Sequence, residues 1–285
     1  MTVFTLKLLA VGSMVCDHLG YWLYMESLIT DTVYTAMRSF GRLAFPIFCF
    51  LIVNGCGHSS DKRRYLTRLI GFAALSQIPF TLVFTGANYA ASPGPLSLTA
   101  PSAAFILMSI LLGVLWYRSV AADMTALLPP LALLLGLSTL RLGEIYLLRP
   151  DMNVFYTLAF SLAVICLLKD LRFSRPEANK LAQAAAVLIA LLLIWDRADY
   201  GLDGMLLIIA LWYFRQNKWQ QLAMILIWCA LHYPPGIANT GYFICAALSV
   251  LPLYLYNGRL GRPMKTAFYL VYPLHLSALG LISLL

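Results

Sequence analysis

The feature that most restricts the fold of this chain is its succession of long apolar runs, which contain very few ionisable residues. Hydrophobic residues make up 61% of the chain and charged residues 11%, whereas ordinary soluble domains carry about 25% charged residues. A soluble fold of 285 residues cannot bury this much apolar surface. Because a helix needs roughly 20 apolar residues to cross the bilayer, the sequence predicts an all-α fold: a polytopic membrane helical bundle of about 9–11 transmembrane helices, forming one domain over residues 1–285.

The apolar runs and the Pro, Gly or charged residues that bound them define eleven candidate spans. They are 3–25, 37–57, 66–86, 102–120, 125–141, 152–169, 181–197, 201–216, 219–234, 239–256 and 265–284. The two short runs 125–141 and 219–234 could instead be re-entrant. With the N-terminus in the cytoplasm, 15 of the 20 Lys and Arg residues fall on that side, as the positive-inside rule requires. We therefore expect the N-in topology.

Charge and cysteine content exclude two other kinds of site. The net charge of +8 is explained by membrane topology, so we expect no nucleic-acid partner. The six cysteines all lie in apolar runs and show no CxxC spacing, which is typical of buried small residues rather than of metal ligands or disulfides. We expect no metal site.

The first run resembles a signal peptide, but no A-x-A-like cleavage site follows it, so we expect a retained helix.

An Asp–His pair, Asp17 and His18, lies inside the first apolar run. Ionisable groups at membrane depth cost roughly 2.5 kcal/mol or more, and they usually face a wet cavity or a substrate path. Successive helix residues are rotated by about 100°, so Asp17 cannot pair with His18 by adjacency. It either contacts a group on another helix or reaches the imidazole through a water or a kink. Lys7 shares a helix face with His18. A structural ion pair between helices is the alternative to a functional site.

Two arginines precede a proline in the second span. Arg38 and Arg42 are four residues apart and face the same way. Pro46 has no N–H for the carbonyl of Arg42, so we expect a kink and a polar pocket beside these guanidiniums. The alternative is an interfacial arginine that extends to the membrane surface, which suits Arg38 better than Arg42.

The last span contains two tyrosines and a histidine at spacings of three. Tyr269, Tyr272 and His275 lie along one flank of the predicted helix, and Pro273 disrupts its bond to the carbonyl of Tyr269. A lone histidine on an apolar helix is often a satisfied core residue. The two phenols and the proline favour a functional site here.

Two basic loops, DKRRYLTR (61–68) and GRLGRPMK (258–265), lie on the predicted cytoplasmic side. Their arginines could bind phosphate groups there, although the positive-inside rule alone accounts for them equally well. The candidates are Arg63, Arg64, Arg68 and Arg259.

Six stretches of the chain, in order, resemble the TraX family, which is named for a conjugative pilin acetylase. They are LKLLAVGSMVCDHLG, GRLAFPIFCFLIVNG, YLTRLIGFAALSQIPF, MNVFYTLAFSLAVICLL, YGLDGMLLIIALWYF and FYLVYPLHLSAL. They cover most of the chain, and residues 81–150 are expected to be an extra segment relative to the family pattern. The positions that match the family motifs are Asp17, His18, Arg42, Tyr272 and His275.

The resemblance implies a multi-pass acetyltransferase of the bacterial inner membrane. Its co-substrate would be acetyl-CoA, with the CoA phosphates near the four loop arginines, and its acceptor the N-terminal amine of a pilin or another extracytoplasmic group. We expect His18 to be the base, with Asp17 orienting it or raising its basicity, and Arg42 and Tyr272 to stabilise the oxyanion. His275 could instead be the base, or a nucleophile that carries the acetyl group.

Two other functions remain open from the sequence. The acceptor could be a hydroxyl of a surface polysaccharide or glycolipid, which would make the protein an O-acyltransferase. The buried Asp, His and Arg could also line a proton-coupled transporter. Transporters often contain inverted repeats, and the sequence shows no such symmetry.

Overall fold

The computed structural model describes residues 1–84, 141–142, 145–146, 152–170, 198–236 and 239–282. The predicted spans 102–120, 181–197 and nearly all of 125–141 lie outside these residues. In chain order the described elements are α1 (Val3–Met25), α2 (Asp31–Gly41), α3 (Ala44–His58), α4 (Lys62–Phe84), β1 (Arg141–Leu142), β2 (Ile145–Tyr146), α5 (Val154–Asp170), α6 (Gly201–Tyr213), α7 (Lys218–His232), α8 (Thr240–Leu248), α9 (Val250–Tyr254) and α10 (Lys265–Ile282).

Helix α1 has the bounds that the sequence predicted. It begins with a capping box, in which Thr2 Oγ1 accepts from the backbone N–H of Thr5 at 3.3 Å and Thr5 Oγ1 accepts from the backbone N–H of Thr2 at 2.8 Å. Two N–H groups that no helical carbonyl reaches are thereby satisfied. The helix ends at Met25, where Glu26 is the C-cap and Ser27 takes a positive φ of 59°.

The predicted span 37–57 is two helices rather than one. The helical segment begins at Asp31 and is interrupted at Arg42 and Leu43, between α2 and α3. Pro46 lies in the first turn of α3, where its missing N–H costs nothing because the first four N–H groups of a helix have no partner in that helix. The interruption therefore lies before the proline, beside Arg42.

The regular secondary structure of the described residues is helical except for short extended pairings. Strands β1 and β2 pair antiparallel, with Arg141 opposite Tyr146 and Leu142 opposite Ile145. Met152 and Ala198 form an isolated parallel bridge. The all-α prediction is thus correct for the main elements. The predicted span 125–141 was wrong at its last residue, because Arg141 is extended.

Two helical segments of the described residues are long and apolar enough to cross a membrane. They are Val3–Met25, with 23 residues, and Asp31–His58, with 28 residues. Four shorter apolar helices occur at Val154–Cys166, Gly201–Tyr213, Thr240–Tyr254 and Thr266–Ile282. These lengths and compositions support a membrane protein.

The chain divides into two compact units, and the first comprises Met1–His58 with Leu206–Leu285. In this unit α1 packs against α2, α3 and α10, while α8 packs against α2 and α7. The start of α1 also pairs with the loop before α10, since the backbone N–H groups of Val3 and Phe4 donate to the carbonyls of Arg259 and Leu260 at 2.9 and 3.1 Å. The two ends of this unit's sequence are therefore held together.

The second unit comprises Ser59–Met205, and in it α4 packs against α5. A buried asparagine before α5 joins the two helices. The Asn153 side-chain amide donates to the carbonyl of Ala73 and to Gln77 Oε1, each at 2.9 Å. Gln77 of α4 therefore forms an interhelix hydrogen bond with the residue that precedes α5, as polar side chains between membrane helices commonly do.

Candidate active site

Two histidines from opposite ends of the sequence meet in the first unit. His18 Nδ1 lies 2.7 Å from His275 Nε2, which is hydrogen-bond distance. The two rings are nearly parallel, with centroids 5.0 Å apart and an interplanar angle of 13°. His18 is 7% exposed. Helix packing between α1 and α10 thus brings together two groups that the sequence identified separately.

Tyr272 completes this histidine–tyrosine cluster, which consists of His18, Tyr272 and His275. Its buried ring stands edge-on to both imidazoles, with centroids 5.8 Å from His18 and 5.6 Å from His275. Tyr272 and His275 are three residues apart on α10, so they reach the same partner on α1. All three side chains belong to the set predicted from the sequence.

Asp17 faces a different helix from His18. Its carboxylate accepts from Arg38 Nη1 at 2.6 Å through Oδ2 and from Arg42 Nη2 at 3.1 Å through Oδ1. The three residues form the arginine–aspartate cluster. Successive residues of a helix are rotated by about 100°. Asp17 therefore contacts Arg38 of α2 and Arg42, which follows α2, whereas His18 contacts His275 of α10. Contact with groups on another helix was one of the two sequence-based expectations for Asp17.

The two guanidiniums are held by aromatic faces and by the backbone as well. Arg38 lies 5.6 Å from the ring centroid of Tyr21, and Arg42 lies 5.4 Å from that of Tyr242. Arg42 Nε also donates to the carbonyl of Arg38 at 3.2 Å. Cation–π contacts of this kind strengthen as the cation is desolvated. Arg42 is thus fixed at two points of its guanidinium.

Arg38 was not among the predicted site residues. The sequence favoured a surface role for it, yet its side chain is 20% exposed and bonds to Asp17 at the shorter of the two distances. The sequence feature that could have identified Arg38 is its spacing of four residues from Arg42, which places both arginines on one face of the helix. A single carboxylate on another helix can then form an ion pair with both.

A glycine on α2 lets the acid approach. A Cβ added to Gly41 would lie 2.5 Å from Cγ of Asp17 and would overlap its Cβ as well. Gly20 makes a similar close approach, because its added Cβ would lie 2.7 Å from Cβ of Met37. Helices in membranes pack closely where small residues line the interface. The sequence therefore positions Asp17 through a residue that has no side chain.

Lys7 lies on the same face of α1 as His18, as predicted. Its Nζ is 5.4 Å from the ring centroid of Phe268 on α10. Phe268 also contacts Phe4, with ring centroids 5.8 Å apart. One face of α1 therefore follows α10 from its start to the histidine contact.

The four loop arginines belong to different units. Arg64, in the second unit, is exposed and pairs with Asp61 at 3.5 Å across one helical turn. Arg68 is half-buried in the same helix, and the Arg63 side chain lies outside the described residues. Arg259, in the first unit, is exposed in the loop before α10. Exposed guanidiniums such as those of Arg64 and Arg259 can bind phosphate.

The described residues contain no group of three or more His, Cys, Asp or Glu side chains that could hold a metal ion. The histidine–tyrosine cluster can accept and donate protons, and the arginine–aspartate cluster can stabilise negative charge.

Comparison with known proteins gives a family and two partial relatives. A family model described as "TraX protein" matches residues 3–138 and 145–283. The chain is 34% identical over 79 residues to "Probable fimbrial assembly protein FimC, serogroup H1" of Dichelobacter nodosus, which covers 28% of the chain and 31% of that protein. It is 40% identical over 80 residues to "Uncharacterized protein RP591" of Rickettsia prowazekii (strain Madrid E), covering 28% of the chain and 27% of that protein. The chain thus spans less than a third of each relative's length, and no solved structure matches it.

Proposed function

The chain belongs to the TraX family, and from this premise we propose that it is a membrane acetyltransferase. It transfers the acetyl group of acetyl-CoA to an extracytoplasmic acceptor, the N-terminal amine of a pilin. The observation that carries the proposal is the contact of His18 with His275 beside Tyr272, since it gathers acid–base groups from two distant helices in a buried place. The family and the similarity to a fimbrial assembly protein support the pilus-related role.

The proposed reaction needs one base and one anion-stabilising group. The neutral amine attacks the thioester carbonyl carbon, so a C–N bond forms and the π electrons move to oxygen. A histidine of the pair takes the proton that the nitrogen loses. The oxygen electrons then return, the C–S bond breaks, and the CoA thiolate leaves and is protonated. The products are the acetylated amine and free CoA.

The arginine–aspartate cluster is suited to the developing negative charge. Two guanidiniums and one carboxylate leave one formal positive charge in the cluster, and ion-pair partners fix it in place before the reaction. Charges that are already oriented stabilise an oxyanion without reorganising. We assign this role to Arg42 with Tyr272, as the sequence suggested, and add Arg38 as the group that shares Asp17.

The donor and acceptor reach the site from opposite sides in this proposal. The protein is a multi-pass protein of the bacterial inner membrane with its N-terminus inside. The CoA phosphates bind on the cytoplasmic side, near Arg63, Arg64, Arg68 or Arg259. A processed pilin presents its amine on the other side.

The proposal is tested by mass spectrometry of the acceptor. The protein is purified in lipid nanodiscs and supplied with acetyl-CoA and the pilin encoded in the same genome. The wild type and His58→Ala should acetylate the pilin, because His58 is exposed at the end of α3, away from the described contacts of His18 and His275. His18→Ala and His275→Ala should each lose activity by roughly 10²–10⁴-fold, the usual contribution of general acid–base catalysis.

Three outcomes would replace the proposal. Full acetylation by both histidine variants at matched protein levels would remove the pair from the chemistry. Acetylation of a polysaccharide or glycolipid hydroxyl in place of the pilin would make the protein an O-acyltransferase. An absence of any acetyl-CoA turnover, with proton-coupled uptake instead, would make it a transporter.

A further inference from the structure

We propose that the two histidines form a directional pair, in which His18 Nε2 is the base and His275 is a positioning residue that acts through His18. The inference rests on the proposed acetyl transfer for its catalytic part. Its structural part, the position of each proton, rests on the hydrogen bonds alone. It assigns different roles to two side chains that the sequence leaves interchangeable.

The direction of the pair follows from one backbone carbonyl. His275 Nδ1 lies 2.7 Å from the carbonyl oxygen of Val271, one turn earlier in α10. A carbonyl oxygen only accepts, so His275 Nδ1 must carry the hydrogen and donate it. A neutral imidazole has one N–H. His275 Nε2 therefore has a lone pair and is an acceptor.

The second contact continues the same direction. His18 Nδ1 lies 2.7 Å from His275 Nε2, and a nitrogen with a lone pair needs a donor opposite it. His18 Nδ1 therefore carries the hydrogen of His18. Its own lone pair is left on Nε2, on the far side of the ring from His275. When both rings are neutral, His18 Nε2 is the basic nitrogen of the pair that is not used in the contact between the two rings.

A proton added to His18 Nε2 preserves the hydrogen bond between the two rings without any other change. A proton added to His18 Nε2 makes an imidazolium whose Nδ1–H still donates to His275 Nε2, and a charge-assisted hydrogen bond is stronger than a neutral one. A proton added to His275 Nε2 would place two N–H groups against each other at 2.7 Å, unless the hydrogen of His18 moves from Nδ1 to Nε2. An acetyl group on His275 Nε2 would need the same space. A nucleophilic His275 therefore requires the pair to separate, and a basic His275 requires either separation or the other tautomer of His18.

The arrangement uses the same logic as a Ser–His–Asp triad, in which a third group fixes the tautomer of the base and stabilises its cation. Here the third group is a neutral imidazole, oriented in turn by a helix carbonyl. The nearest charged groups are Arg38 of α2 and Arg42, which follows α2; both pair with Asp17, the residue before His18. A neutral orienting group leaves the charge of that cluster unchanged.

The proton positions can be measured without any substrate. The chain has four histidines, so ¹⁵N-histidine labelling of the nanodisc sample gives four rings, which single substitutions of His58 and His232 help to assign. At a pH where both rings are neutral, we expect the Nδ1–H tautomer for His18 and for His275. An Nε2–H tautomer on either ring would overturn the inference.

The kinetic test separates positioning from nucleophilic or structural roles. His275→Gln places an amide oxygen near the position of Nε2, where it can accept from His18 Nδ1, whereas His275→Phe fills similar space without an acceptor. We expect kcat to fall by roughly 10²–10⁴-fold in His275→Phe and to recover by about tenfold or more in His275→Gln. The KM for acetyl-CoA should stay near the wild-type value in both variants.

The outcomes distinguish this inference from the proposed function. Equal loss of kcat in His275→Gln and His275→Phe, or an acetylated His275 in a trapped intermediate, would overturn the positioning role while leaving acetyl transfer intact. If the wild type transfers no acetyl group but both rings show Nδ1–H, the proposed function fails and the directional pair stands.

Discussion

At the scale of single residues, the arginine–aspartate cluster depends on one acid. Asp17 accepts from both Arg38 and Arg42, and the three side chains are mostly buried, with exposed fractions of 11%, 20% and 13%. Breaking a buried ion pair costs more than forming it stabilises, because the charge left behind has lost its partner and its water. Here the loss of one carboxylate would leave two cations side by side.

We therefore expect Asp17→Ala to lower the free energy of unfolding by about 3–5 kcal/mol, the range for removing one partner of a buried ion pair. The measurement is denaturant unfolding of the protein in detergent micelles. Asp61→Asn is the matched control, because it removes an exposed ion pair with Arg64, which contributes about 0–1 kcal/mol, and keeps a side-chain oxygen for the backbone N–H of Arg64. Adding Arg38→Gln to Asp17→Ala should restore part of the loss, since one uncompensated charge is removed. Equal effects of the two aspartate variants would contradict this account.

The sequence identified five members of the two clusters and missed the sixth. Ionisable residues inside apolar runs are expensive, so Asp17, His18 and Arg42 were detectable by position alone. Arg38 lies nearer the predicted membrane surface, where an arginine needs no partner. Its role depends on the distance between α1 and α2, which a local sequence pattern does not determine.

At the scale of the helices, α1 and α2 approach through glycine. Gly41→Ala places a methyl group where the Asp17 side chain lies, so the helices must separate and the ion pairs must lengthen. We expect lower stability than in the wild type, although alanine favours a helix over glycine by about 1 kcal/mol. Denaturant unfolding and acetylation assays measure both consequences.

The matched control for Gly41→Ala is Gly12→Ala. Gly12 also lies inside a helix, and a Cβ added there meets nothing within 4 Å. This variant should be as stable as the wild type or more stable. If Gly41→Ala behaved like Gly12→Ala, the close approach of Asp17 to α2 would not limit the packing.

The limits of most described helices were predictable, and their interruptions were not. Helix α1 matches its predicted span 3–25, because Thr2 caps its start and the polar residues Glu26 and Ser27 follow its end. The span 37–57 lies inside the apolar segment Asp31–His58, but the structure interrupts the helix at Arg42 and Leu43. Hydropathy can locate a membrane span, and it does not reveal a break of two residues inside one. Pro46 indicated that something happens nearby but suggested the wrong cause.

At the scale of the whole molecule, the contacts of the first unit predict which of its loops lie on the same side of the membrane. The backbone pairing of Val3 and Phe4 with Arg259 and Leu260 places the N-terminal residues and the loop before α10 at one end of α1. The turn between α1 and α2 lies at the opposite end of that helix. Two loops of this unit should therefore lie on different sides of the membrane.

We expect a membrane-impermeant maleimide to label Thr30→Cys in intact spheroplasts and Arg262→Cys only after permeabilisation. Both positions are exposed, and the N-in topology places the basic loop in the cytoplasm. The six native cysteines are replaced first, and the acetylation assay described above checks that the cysteine-free protein still folds. The reverse labelling pattern would show that the N-terminus lies outside. Labelling of both positions from one side would show that α1 does not cross the membrane.

One consequence of the His18–His275 contact concerns the moment at which the protein becomes active. The two imidazoles are 257 positions apart in the sequence, so the ribosome must add 257 further residues after His18 before the second imidazole exists. A nascent or prematurely terminated product that stops before His275 carries the first imidazole and none of its acid–base partner. Under the proposed chemistry, such fragments are inert toward acetyl-CoA, and the membrane gains a working transferase only after α10 has been made.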